Sequence, residues 1–157
     1  MNAEVDVRRI SRRALIGVLP AALLTIRRVN AQTDTVTVYK DPTCGCCAKW
    51  VDLMRREGFA ATVHESRDLA SIKQKYNVPP NLQSCHTAIV NDQLIVEGHV
   101  PPADVKRVLK DKAAIGGLAV PGMPIGSPGM EVADVRPQAY DVIAFTRAGK
   151  TRVFASH

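Results

Sequence analysis

The sequence has no apolar run long enough to cross a membrane. Its leading candidate, Ala14 to Ile26, is thirteen residues long and holds Pro20, whereas a spanning helix needs about twenty. A basic patch is also missing. The formal net charge is +6, but six of the 21 Lys and Arg and two of the 15 Asp and Glu lie in residues 1–31. The remainder keeps 15 basic against 13 acidic residues, a net charge of +2. Nothing there has the clustered charge that grips nucleic acid. Cysteine is scarce, at four in 157 residues. Its distribution is far from even, since three of the four stand within four positions.

The first residues read as a leader. Ser11-Arg12-Arg13-Ala14-Leu15-Ile16 sets an arginine pair before the apolar run, and Val29-Asn30-Ala31 offers small or modest residues for cleavage. This is the pattern of an export signal, and the Arg pair is of the twin-arginine type. A second pair, Arg27-Arg28, suits the general secretory route poorly. The expectation is a signal over 1–31, cleavage near Ala31, and a periplasmic chain with no membrane attachment afterwards. An uncleaved amphipathic anchor is the alternative. Residues 32–157 then form a single domain with a modest core.

Asp41-Pro42-Thr43-Cys44-Gly45-Cys46-Cys47 follows a strand-like run, Val36 to Tyr39, and precedes an amphipathic helical run, Ala48 to Glu57. The thiols therefore sit at a strand-to-helix turn. Free N–H groups and partial positive charge at a helix start favour thiolate, the form that attacks disulfides and binds metals. Two readings stay open. Cys44 and Cys47 make a C-x-x-C pair, which in this setting reads as a dithiol redox motif. Cys46 adds a third sulfur that a dithiol does not need, and adjacent sulfurs suit a soft ion such as Cu(I). A metal would also protect thiolates in an oxidising compartment. Neighbouring Cys46 and Cys47 are poorly placed to bridge each other.

The rest of the pattern is regular. Thr35 to Lys40 alternates as a strand. In the helix after it, Cys47, Trp50 or Val51, and Met54 share one face, with Gly58 as the stop. Ala61 to His64 reads as a strand, Asp68 to Tyr76 as a short helix, His86 to Val90 and Gln93 to Val96 as a hairpin, and Ala103 to Lys110 as a helix. This order predicts an α/β (α+β) thioredoxin-like fold with a mixed central sheet. A two-residue turn at Asn91-Asp92 would set Cys85 against Gly98 and Ser84 against His99. Cys85, His86 and His99 then gather at the open end of the hairpin, beside the cysteine turn. Cys85-His86-Thr87 occupies the place where thioredoxins carry a cis-proline, which weakens a plain oxidoreductase reading. His64 reads as a surface or packing residue and His157 as a frayed end.

After Lys112 the composition changes. Pro121-Gly122-Met123 and Pro128-Gly129-Met130 repeat a triplet seven residues apart. Each turn presents a soft thioether from a stiff loop, although methionine also fills gaps over a core edge. Asp141 to Thr146 and Thr151 to Ala155 read as a second hairpin. Residues 113–157 are thus expected to be a loop and hairpin extension outside the thioredoxin-like core.

Four stretches in order, Asp41 to Trp50, Ser84 to Ala88, Glu97 to Pro101 and Gly117 to Glu131, resemble those of exported CopG-type copper-resistance proteins. The resemblance covers nearly all of 32–157. It implies a thioredoxin-like domain that binds several Cu(I) ions through Cys44, Cys46, Cys47 and Cys85 as a thiolate cluster. It further implies a role in copper tolerance and Cu(I)/Cu(II) interconversion. His86, His99, Met123 and Met130 are the further candidate metal ligands. No catalytic residue is assigned, and an enzymatic role as a copper oxidoreductase stays open. The alternatives are a thiol–disulfide oxidoreductase in which Cys44 attacks and Cys47 resolves, and a copper carrier without redox chemistry. A copper exporter or another periplasmic copper protein is the partner such a carrier would need.

Overall fold

The computed structural model describes residues 33–157. The expected signal and its cleavage point lie outside the described residues. Eleven elements follow in order: β1 (Thr35–Lys40), α1 (Gly45–Arg56), β2 (Ala60–Glu65), α2 (Leu69–Lys75), a 3-10 turn (Pro80–Leu82), β3 (His86–Val90), β4 (Leu94–Glu97), α3 (Pro102–Asp111), β5 (Gly117–Ala119), β6 (Asp141–Phe145) and β7 (Thr151–Ser156). The strands form one mixed sheet in the order β2-β1-β3-β4-β5-β6-β7. The expected mixed α/β fold is found. Among the described residues no helix is long and apolar enough to cross a membrane.

Local chemistry explains the main elements. Asp41 Oδ1 accepts from Thr43 N at 2.8 Å and Thr43 Oγ1 at 2.5 Å, which makes the turn that ends β1. Cys44 is the N-cap of α1, so Cys46 and Cys47 both fall in its first turn. Cys47, Trp50, Val51 and Met54 are its buried residues, the face read from the spacing. Trp50, Val51 and Met54 share one core cluster with Val36, Val38, Ala88, Val90 and Val96 of the sheet. Asp68 caps α2 by accepting from Ser71 N at 3.0 Å.

Three expectations need correction. The β3–β4 hairpin pairs Val90 with Leu94 and Thr87 with Glu97, one residue out from the expected register. The reason is a three-residue loop. Asn91 and Asp92 both take positive φ, 49° and 56°, and Gln93 N closes on Val90 O at 3.0 Å. His86 therefore meets Gly98, whose N–H donates to the His86 carbonyl at 3.0 Å.

The second correction concerns only how the C-terminal hairpin is attached: β6 and β7 form the expected hairpin, and it is joined to the main sheet rather than lying apart from it. β5 runs parallel to β4, β6 antiparallel to β5, and β7 antiparallel to β6, so all three continue the sheet. Gly117 is what lets β5 in. A β-carbon there would collide with the Phe145 ring and with Ile95 O. Third, His157 is not frayed. Its backbone exchanges two hydrogen bonds with Tyr140, 2.9 and 3.1 Å. Its Nε2 sits 2.7 Å from Asp104 Oδ2.

Candidate metal centre

β1 and β3 are antiparallel with Lys40 opposite His86. The end of β1 and the start of β3 thus share one pole of the sheet. The turn after β1 brings in Cys44, Cys46 and Cys47, and the residue before β3 is Cys85. The four sulfurs lie within 4.8 Å of one another. A second grouping shares Cys85: its sulfur, one nitrogen of His86 and one of His99 also lie within 4.8 Å of one another.

The helix half of the site is partly closed. Cys44 and Cys47 form a disulfide, S–S 2.08 Å, while Cys46 and Cys85 are free. Cys46 Sγ lies 3.5 Å from Cys44 Sγ. All four cysteines were expected as metal-binding thiolates. In this state only two of them are available, and opening the disulfide would supply the other pair.

The hairpin half is buried and neutral. His86 and His99 are both fully buried. His99 Nδ1–H donates to the Pro128 carbonyl at 2.7 Å. A carbonyl only accepts, so Nδ1 holds the proton of the neutral ring and Nε2 presents its lone pair. That lone pair points at Cys85 Sγ, 3.0 Å away. His86 Nδ1 lies 3.3 Å from the same sulfur. Its Nε2 is buried and has no hydrogen-bond partner. The His86 ring is held between Trp50, 4.5 Å between centroids, and the edge of His99 at 5.2 Å.

The electrostatics match this burial. Desolvation pushes the Cys85 thiol up to about 12, with the Cys46 sulfur adding to the effect. Cys85 is therefore a thiol in the metal-free protein, and a metal must displace its proton. Desolvation likewise holds His86 well below the ordinary histidine value, helped by the nearby His99 and Lys73. His99 is lowered by burial, with the Pro128 bond acting in the other direction. Both rings stay neutral at physiological pH, the state in which imidazole binds a metal.

The loop between β5 and β6 closes one side. Gly129 packs so tightly that a β-carbon would lie 2.9 Å from Cys46 O and 3.0 Å from Trp50 N. Ser127 N and Oγ both donate to the Pro124 carbonyl, 3.1 and 2.7 Å, and Met130 N to the Ser127 carbonyl at 2.8 Å. The second Pro-Gly-Met triplet is thus a rigid turn against α1. The first triplet touches the site differently: Ser84 Oγ donates to the Gly122 carbonyl. Met130 is half-buried, whereas Met123 is 52% exposed. Among the other histidines, His64 is exposed and stacks on Tyr39 at 5.3 Å.

Residues to which the sequence assigned no role at the site also shape it. The Pro128 carbonyl fixes the His99 tautomer. Trp50 Nε1 donates to the Val100 carbonyl at 2.9 Å and so anchors α1 beside His99. Lys73 and Glu97 are buried behind Cys85. For Glu97 a signal existed: a carboxylate closes the apolar strand Leu94-Ile95-Val96.

A family model described as "Protein of unknown function, DUF411" matches residues 82–130. That span holds the hairpin half of the site and both Pro-Gly-Met triplets. Two solved structures are similar over most of the chain. One, named "Copper resistance protein copG- Form 1", is 42% identical, with 78% of this chain and 96% of that chain covered and a TM-score of 0.73. The other, "Copper resistance protein copG- Form 2", is 41% identical, with 80% and 99% covered and a TM-score of 0.75. No curated protein matches.

Proposed function

Because this chain belongs to the CopG copper-resistance protein family, we propose that it is an exported, periplasmic copper-binding protein that serves copper tolerance. Copper is its cargo or substrate. The cysteines 44, 46, 47 and 85 take Cu(I) as thiolates, several ions sharing bridging sulfurs, and His86 and His99 complete the hairpin side. The observation that carries this reading is the convergence of four sulfurs within 4.8 Å, next to a neutral His99 Nε2 aimed at one of them. Soft thiolate and imidazole donors in one small volume suit copper. Met123 and Met130 stand as thioether candidates at the edge.

A second reading has its own support. The Cys44–Cys47 disulfide beside the copper ligands suits Cu(I)/Cu(II) interconversion. When the two thiolates close to the disulfide they give up two electrons, one to each of two Cu(II) ions. The reverse step opens the disulfide and returns two Cu(II). Reduction of protein disulfides by the same pair is the competing use, and transfer of copper to an exporter needs neither.

The test is metal loading of the reduced mature chain, 32–157, with thiol titration of the same sample. The expected result is more than one Cu(I) per chain and protection of all four cysteines from alkylation. Retention of four free, alkylatable thiols in the presence of Cu(I) would overturn the reading.

A further inference from the structure

Lys73 and Glu97 form an ion pair of 2.5 Å on the α2 face of the sheet, with side chains 7% and 0% exposed. Taking two charges out of water costs several kcal/mol each, and buried pairs are weak sources of stability. A buried pair in this place therefore calls for another role, and its other partners supply one. The Glu97 carboxylate also accepts from Ser84 N at 2.6 Å and from Thr87 Oγ1 at 2.7 Å. Lys73 Nζ donates to Thr87 Oγ1 as well, at 3.1 Å. Glu97 thus holds the Ser84 backbone N–H on one side of Cys85 and His86 and the Thr87 hydroxyl on the other.

Ser84 is the junction. Its N–H is held by Glu97, and its hydroxyl donates to the Gly122 carbonyl of the first Pro-Gly-Met triplet. Its side chain lies against Gly98, where a β-carbon would come within 2.5 Å of Ser84 Oγ and 2.7 Å of Val120 O. Held from three directions, Ser84 leaves the next residue, Cys85, little freedom.

We propose that Glu97, neutralised by Lys73, is a positioning residue that fixes Ser84 and thereby sets the Cys85 sulfur against the helix sulfurs. It touches no metal-binding atom. Its effect travels through one backbone N–H. The proposal rests on the copper reading only for what Cys85 is positioned to do, and its first test needs no copper.

The experiment compares alkylation of Cys85 with that of Cys46 in the same reduced, metal-free molecules by mass spectrometry. Lys73→Met/Glu97→Leu removes both charges together, which avoids a buried unpaired ion and keeps the volume. Circular dichroism checks that it folds. Cys85 should be alkylated about tenfold faster relative to Cys46, the scale of one lost charge-assisted hydrogen bond. Lys73→Met/Glu97→Gln restores an acceptor for Ser84 N and should return most of the protection. Ser84→Ala retains the backbone bond and loses only the hydroxyl bond to Gly122, so it should accelerate Cys85 much less than Lys73→Met/Glu97→Leu does. Unchanged Cys85 reactivity in folded Lys73→Met/Glu97→Leu would overturn the proposal. Equal acceleration in Ser84→Ala would also overturn it, because the hydroxyl would then be the anchor. A second readout is the Cu(I)–thiolate absorption, which should change in Lys73→Met/Glu97→Leu and recover with Gln. Should the unaltered chain bind no Cu(I) while the alkylation pattern holds, the copper reading fails and the positioning role stands.

Discussion

The two halves of the site share Cys85 and differ in what they can change. The helix half, Cys44, Cys46 and Cys47, can change its covalent bonds: one disulfide is closed and a third sulfur lies 3.5 Å from it. The hairpin half, Cys85, His86 and His99, has no disulfide. Its three groups all titrate, and burial holds them in their neutral forms. The helix half therefore answers to redox conditions and the hairpin half to acid, and a metal would engage both.

Substitutions can break this division. Cys85→Ser removes the one sulfur common to both halves and should have the largest effect, a loss of Cu(I) affinity of about a hundredfold or more, on the scale of about 3 kcal/mol. A competition titration with a Cu(I) chelator measures it. Cys46→Ser damages only the helix half. Copper loading should drop sharply, while reduction of the Cys44–Cys47 disulfide by a dithiol proceeds as before. Normal loading in Cys46→Ser would mean that the halves are not joined through copper.

Gly129→Ala tests the loop that closes on the helix half. The added carbon meets Cys46 O and Trp50 N, and φ is +87°, so a loss of about 1–3 kcal/mol is expected in chemical denaturation. Gly122→Ala, at φ +72° with nothing within 4 Å, should cost about 1 kcal/mol from backbone conformation alone. Equal losses would show that the two triplets are packed alike.

Acid isolates the hairpin half. His86 and His99 are held below the histidine value of the unfolded chain, about 6.5. Below that pH the unfolded state takes up protons that the folded state refuses. The stabilisation is thus complete above pH ~6.5 and fades as pH falls, by up to about 1.4 kcal/mol per pH unit for each ring. Denaturation of the metal-free protein between pH 7.5 and 5 should show this slope, and His99→Gln should reduce it.

The smallest effect is expected for the thioethers. Met123→Leu and Met130→Leu conserve apolar volume and should cost under about 1.5 kcal/mol in stability. If the sulfurs are ligands, the double variant loses Cu(I) affinity, and proportionally more at pH about 5.5, where thioethers carry no proton. Equal affinities at both pH values would remove Met123 and Met130 from the site.

The helix half was legible because its information is local. A strand, an aspartate-capped turn, three thiols and the Cys47–Trp50–Met54 face all lie within twenty residues, and helical spacing fixes their relations. The hairpin half depends on register. Asn91 and Asp92 suggest a two-residue turn, yet Gln93 joins the loop, and that one residue moves His99 to the level of Cys85. β5 was hidden for another reason. Gly117-Leu118-Ala119 has no strand pattern and gains its place from what Gly117 lacks, room being needed for Phe145 and the Ile95 carbonyl. Lys73 and Glu97 lie far apart in the sequence and meet only once α2 is laid on the sheet, a contact that helical spacing does not encode.

Trp50 is the only tryptophan in the chain, and its ring lies 4.5 Å from that of His86. Its emission therefore comes from one place, the floor of the metal pole. An excited indole this close to an imidazole loses light when the ring is protonated, and loses more when copper arrives beside it. The fold has in effect a native fluorophore at its candidate metal site. Disulfide opening, and any metal loading at this pole, can each be tested on the unlabelled protein from the brightness of that single side chain.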